Sequence, residues 1–196
     1  MTANERAVGD VESEHTANLL GALSVVLHDR LMEAISEAIG QSESAAAALS
    51  WLENFVDQPS VGLLHRMLGL TPSGAVRLVD RLEAEGYLER RGGADGRSTR
   101  VHLTRTGRRA ARQVTAARAQ VLDHALTALS TEERQVLDRL LSRLLVGMMR
   151  GPDARRFMCR LCNARACGHA EGRCPVRNAA RERFGSATTT HEAPTC

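Results

Sequence analysis

The run from Ser60 to Thr104, SVGLLHRMLGLTPSGAVRLVDRLEAEGYLERRGGADGRSTRVHLT, leaves few folds open. Gln58-Pro59-Ser60 is a helix-start signal with Ser60 as N-cap; Leu63, Leu64, Met67 and Leu68 supply an apolar face, and Gly69 ends the helix. Leu70-Thr71-Pro72 restarts the chain, with Thr71 as cap and Pro72 at the first helical position, where a missing N–H costs nothing. In the helix that follows, Ala75, Leu78, Val79 and Leu82 share one stripe, which leaves Ser73, Gly74, Val76, Arg77 and Arg81 outside. Glu85-Gly86 closes it. Tyr87 to Arg91 is strand-like, Gly92 to Gly96 is a turn, and Ser98 to Leu103 alternates back with Val101 and Leu103 inward.

Two short helices joined by a tight turn and followed by a hairpin have the outline of a winged helix-turn-helix, whose second helix enters the major groove of DNA. In that outline Arg77 reaches guanine and Val76 meets a thymine methyl, with Ser73 beside them at the helix N-terminus. Gly74 permits close approach of the backbone to phosphate. Arg97, at the tip of the wing, reaches a narrow minor groove with Asp95 holding its guanidinium, and Arg81 and Arg100 complete the candidate contact set. Charge is distributed to match: residues 1–60 carry 2 Arg against 10 Asp and Glu, residues 61–118 carry 12 against 5, and residues 119–196 carry 12 against 8. The overall +3 therefore conceals a positive head behind an acidic N-terminal third, which suits phosphate binding. Every basic residue is Arg, a bias that explains Arg over Lys but not this segregation.

Around the head the chain reads as helix. Aromatics make up only 3% of the residues, so Leu, Val, Ala and Met must fill the core. Residues 1–12 are expected to be disordered. From His15 to Ile39 the residues Leu19, Leu20, Leu23, Val26, Leu27, Leu31 and Ile35 recur at helical steps, a stripe too long for a small domain to cover and therefore expected to meet a partner chain. Ser44 to about Val56 is a second helix with Trp51 as core anchor. Thr104 caps a helix to about Ala128, and Ser130 with Glu133 forms a capping box that opens another to about Arg150, stopped by Gly151-Pro152. The expected organisation is residues 13–43 and 105–150 as a helical dimerisation domain, 44–104 as the DNA-binding domain, 151–184 as a cysteine-rich extension and 185–196 as a disordered tail. No run approaches the roughly 18 apolar residues of a membrane span, and the acidic N-terminus lacks the order of a signal peptide, so a cytoplasmic protein is expected.

The run LGLTPSGAVRLVDRLEAEGYLERR, followed by Asp95-x-Arg97 and Leu103-Thr104-x-x-Gly107, resembles the MarR family of transcription regulators over roughly residues 15–150. The resemblance implies a mainly α winged-helix homodimer with its first and last long helices intertwined. It also implies a pseudo-palindromic double-stranded DNA operator and, commonly, repression released by a small-molecule effector or by thiol chemistry. His65 departs from the family, which usually has a small Ala there, and the wing is richer in Gly.

Cys159-x2-Cys162-x4-Cys167-x6-Cys174-Pro175 lies outside that pattern. Four thiolates in a short loop can wrap one metal centre, and in a reducing compartment they argue for metal or redox chemistry over disulfides. An iron-sulfur cluster leads, since CPVRN is similar to the end of the cysteine loop in SoxR-type redox regulators. A structural zinc is the alternative, with His169 as a replacement ligand, and uncomplexed redox thiols come third. Arg160, Arg165, Arg173 and Arg177 would offset the charge of either centre. Cys196, at the chain end, reads as incidental. An enzymatic reading, a thiol oxidoreductase using Cys159-x-x-Cys162, lacks both a βαβ context and a nearby activating base.

Overall fold

The computed structural model describes residues 3–55, 58–92, 99–151 and 157–185, residues 3–12 as backbone only. Seven helices and one hairpin follow in order: α1 Ala3–Ile39, α2 Glu43–Asn54, α3 Val61–Leu68, α4 Pro72–Ala84, β1 Leu88–Gly92, β2 Thr99–Leu103, α5 Arg105–Leu126, α6 Thr131–Gly147 and α7 Pro175–Phe184. The mainly helical class with a small β-hairpin wing is the one expected.

The caps fall where the sequence puts them. Ser60 Oγ accepts from Leu63 N, Thr71 Oγ1 from Gly74 N, Thr104 Oγ1 from Gly107 N, and Ser130 and Glu133 complete a reciprocal capping box. Gly69 takes a left-handed conformation (φ 64°, ψ 26°) to end α3, which only glycine adopts without strain. One expectation is corrected. The first helix begins at Ala3 in place of a disordered stretch over 1–12, because Ala3 to Glu12 holds no proline and is rich in good helix formers. The extension after Gly151 ends in a helix, α7, with Pro175 at its first turn.

The core lies inside the head. Leu49, Trp51 and Leu52 of α2 meet Leu64 and Met67 of α3, Leu78, Val79 and Leu82 of α4, Leu88, Val101 and Leu103 of the hairpin, and Ala110 and Ala111 of α5. α2 is buried from Ala45 through Leu52, and its four alanines let it sit close between α5 and α1. A smaller cluster of Ile35, Ala46 and Val114, with Met32, Ile39 and Leu161 against it, joins the head to the long helices. β1 and β2 pair antiparallel, with Leu88 opposite Leu103 and Gly92 opposite Thr99. The hairpin is tied to the start of α3 through Val101 N to Pro59 O at 3.0 Å.

One junction locks these parts together. Thr104 Oγ1 donates to Gly86 O at 2.6 Å, and Thr104 N donates to Tyr87 O at 3.0 Å. A Cβ on Gly107 would overlap the Tyr87 carbonyl oxygen and stand 2.9 Å from Leu103 Cδ2, so the first turn of α5 rests directly on the backbone between α4 and the wing. Gly107→Ala is expected to destabilise the fold by about 1–3 kcal/mol, as overpacking does. Thermal unfolding followed by circular dichroism should show the midpoint fall by several degrees.

Candidate DNA-contacting face and cysteine module

The exposed face of α4 is built from its cap outward. Thr71 holds the helix start, Ser73 Oγ lies 3.3 Å from Thr71 Oγ1, and Ser73, Val76 and Arg77 all face solvent. Val76 is 45% exposed, and an apolar β-branched side chain there contributes nothing to the core. Gly74 is half-buried, and a Cβ at that position would meet Thr71 Oγ1 at 3.0 Å. Its absent side chain thus serves the cap as well as any approach to phosphate.

Arg81 and Arg100 stand apart from this trio. Arg81 Nη2 donates to Ser42 Oγ at 3.0 Å, and Gln41 Nε2 donates to Glu85 Oε2 at 2.7 Å, so the end of α4 is fastened to the start of α2. Arg100, on β2, donates from Nη1 to Gln58 O at 3.4 Å. Both guanidiniums are engaged in positioning the head. Asp95 and Arg97 lie outside the described residues. His65 Nδ1 is 3.4 Å from Leu70 O, across the turn between α3 and α4, which makes it part of that turn.

Sequence reasoning passed over Arg90. From β1 it pairs with Asp80 at 2.5 Å and with Glu83, and its backbone N donates to Glu83 Oε1 at 2.9 Å. The wing is thereby clipped to the outer face of α4. The acidic pair at i, i+3 reads in sequence as a solvated helix face, and only the return of the chain brings an Arg onto it.

The second candidate site follows α6. Cys159, Cys162 and Cys167 are half-buried and Cys174 is buried; all four carry free thiols. They converge, each of the other three acting on Cys159. Within the group the thiols pair: Cys159 donates a hydrogen bond to Cys162, and Cys167 is bonded to Cys174. The Cys159 bond pulls Cys162 down to about 6, helped by the Arg118 guanidinium on α5, while the same bond and burial push Cys159 well up. Cys167 is pushed up to about 12, first by burial and then by Cys174. Among the described residues no group of three or more His, Cys, Asp or Glu side chains stands at the geometry of a metal site.

The loop that presents these thiols is held from within. Asn163 Oδ1 accepts from Arg165 N and Ala166 N at 3.1 and 3.2 Å, and Arg177 of α7 donates to His169 O. Gly168 has φ 63°, and a Cβ there would meet Arg173 Cβ at 2.8 Å. α7 buries Val176, Ala179 and Ala180 against Met149, and Arg183 Nη1 donates to Val146 O at 3.0 Å, which roots the module on the end of α6.

Comparison with known proteins places this architecture. The profile of the MarR family matches residues 39–98. The transcriptional repressor MprA of Escherichia coli is 33% identical over 134 residues, covering 65% of this chain and 75% of MprA. The chain belongs to the MarR family. A MarR family protein from Bacillus stearothermophilus superimposes with a TM-score of 0.61 at 29% identity, covering 76% of this chain and all of that one. The Mycobacterium tuberculosis MarR family protein RV2887, in complex with salicylic acid, superimposes with a TM-score of 0.51 at 25% identity, covering 64% of this chain and 93% of that one. This MarR-family chain is a transcriptional regulator and not an enzyme.

Arg77→Ala is expected to weaken binding to a duplex selected from random-sequence DNA by roughly five- to 150-fold, about 1–3 kcal/mol, as loss of a base-reading Arg does. Arg77 is exposed, so the melting temperature should stay put. Fluorescence anisotropy at fixed salt, beside a melt of the same variant, checks both.

Proposed function

We propose that this MarR-family regulator is a homodimeric repressor that grips a pseudo-palindromic operator through α4 and the wing, and that a metal centre on its four C-terminal cysteines tunes its hold. Ser73, Gly74, Val76 and Arg77 enter the major groove, Arg97 with Asp95 reaches the minor groove, and Arg81 and Arg100 add charge at the edge of the footprint while bracing the head. Its place of work is the cytoplasm, where the DNA is; among the described residues no helix is long and apolar enough to cross a membrane.

A second copy of the chain is the partner that the helices call for. None of the seventeen residues of α6 is buried, yet Val136, Leu140, Leu141, Leu144 and Leu145 form an apolar stripe along it. α1 offers another with Leu19, Leu20, Leu23 and Val26, Leu19 being 58% exposed. Two such stripes on one subunit match each other across a two-fold axis, and MarR regulators work as dimers. Operator half-sites then fall at a separation set by the paired helices.

The observation that carries the metal reading is the convergence of Cys159, Cys162, Cys167 and Cys174 in one loop held on α6 and α7. Four thiolates suit zinc or iron-sulfur chemistry, and the ending Cys174-Pro175 favours the latter. Arg118 adds a positive charge beside Cys162 and Cys167 that would offset the anionic centre. A second reading, a structural zinc with a small-molecule effector between the dimer helices and the head, draws on the salicylic acid complex of RV2887.

Anaerobically purified protein is expected to be brown, with visible absorption and matching iron and sulfide contents; a colourless protein with one zinc per chain would decide for the second reading. Leu144→Glu should yield a monomer by light scattering and abolish DNA binding, because a charge would stand in the middle of the paired stripe.

A further inference from the structure

Resting on the metal reading above, we propose that residues 157–169 form a clamp, closed when the cysteines wrap their centre, that fixes the DNA-reading head against the dimer helices. The residues that touch the rest of the protein alternate along the chain with the cysteines themselves. Phe157 lays its ring on the turn of the helix-turn-helix, where a Cβ on Gly69 would be 3.2 Å from Phe157 Cε2. Arg160 stacks over that ring at 4.6 Å and pairs with Glu43 at the start of α2 at 3.3 Å. Leu161 packs into the cluster of Ile35, Ala46 and Val114, which come from α1, α2 and α5. Ala164 N donates to Asn54 Oδ1 at 3.3 Å, and His169 meets the edge of Phe55 at 5.6 Å, both at the far end of α2.

The clamp therefore holds both ends of α2, the α3–α4 turn and the meeting point of α1 with α5. Those are the parts that set the angle of α4 relative to the dimer arms. Cys159 lies between Phe157 and Arg160, Cys162 between Leu161 and Ala164, and Cys167 between Ala164 and His169. A metal that fixes the sulfurs fixes the spacing of these contacts. Without it the loop gains conformational freedom at each of them, and small polar and aromatic contacts of this kind hold a mobile loop poorly. Two heads must keep one separation to engage two half-sites together, so the closed clamp is the form that binds DNA tightly and metal loss weakens the grip. The coupling is an equilibrium between two head orientations, biased by the centre.

The test uses the full-length dimer, loaded and then stripped by a chelator, against a fluorescent duplex selected from random-sequence DNA by the loaded protein. Wild type should lose about tenfold or more in affinity on stripping, within the range of measured couplings. Phe157→Ala with Leu161→Ala should keep full metal content and the same visible spectrum while the ratio of loaded to stripped affinity falls close to 1. Arg160→Gln, milder and at an ion pair whose Glu43 is exposed, should lower that ratio partway and leave folding intact. Hydrogen exchange supplies a second readout: amides at residues 68–71 should exchange faster in stripped than in loaded wild type, and equally in both states of the double variant. A wild-type ratio of 1, or a double variant that keeps the wild-type ratio, overturns the clamp and leaves the metal site standing. A wild-type chain that takes up neither iron nor zinc overturns the metal reading and the clamp with it.

Discussion

The head depends on a contact that no side chain makes. Where α5 begins, Gly107 brings the helix so near the Tyr87 carbonyl that a single methyl group would not fit, and Thr104 binds Gly86 and Tyr87 through its hydroxyl and its amide. This one close approach sets the end of α4, the start of β1, the end of β2 and the start of the long helix in fixed relation. The exposed helix α4 is thus referred to α5, the element that leads to α6 and its apolar stripe. Arg90 extends the same frame to the wing through Asp80 and Glu83, and Arg81 extends it to α2 through Ser42.

Between the head and the long helices the apolar contact runs through Ala110 and Ala111 of α5, which sit in the head core, and through Ile35, Ala46 and Val114, with Leu161 of the cysteine module resting on the second group. The module spans this junction on two sides, rooted by α7 on α6 and reaching α2 and the helix-turn-helix turn with its loop. Under the proposed clamp, a change in the loop would bear on the head through these contacts.

The helix starts and stops of the head were legible because they rest on local chemistry. Ser60, Thr71, Thr104 and Ser130 each bond an amide three residues on, and Gly69 supplies a left-handed turn, so neighbours in sequence decide the outcome. The buried stripe of α4 was legible for the same reason, and with it the exposure of Ser73, Val76 and Arg77. Arg90 was not legible, since its partners stand seven and ten residues away on another element. Nor was the engagement of Arg81 with Ser42, thirty-nine residues distant. The helix α7 was hidden by the cysteines before it, which drew the reading toward a loop.

By itself the sequence determined the caps, the apolar stripes, the basic head and the four closely spaced thiols, all of which follow from periodicity, composition and short-range hydrogen bonding. Only the tertiary structure decided that Phe157 reaches the α3–α4 turn, that Arg118 stands beside Cys162 and Cys167, and that the cysteine loop alternates its thiols with contacts to α1, α2 and α5. The Arg160–Glu43 pair alone joins residues 117 positions apart. Packing across such separations depends on how whole elements settle against one another, a global minimum that no local pattern encodes.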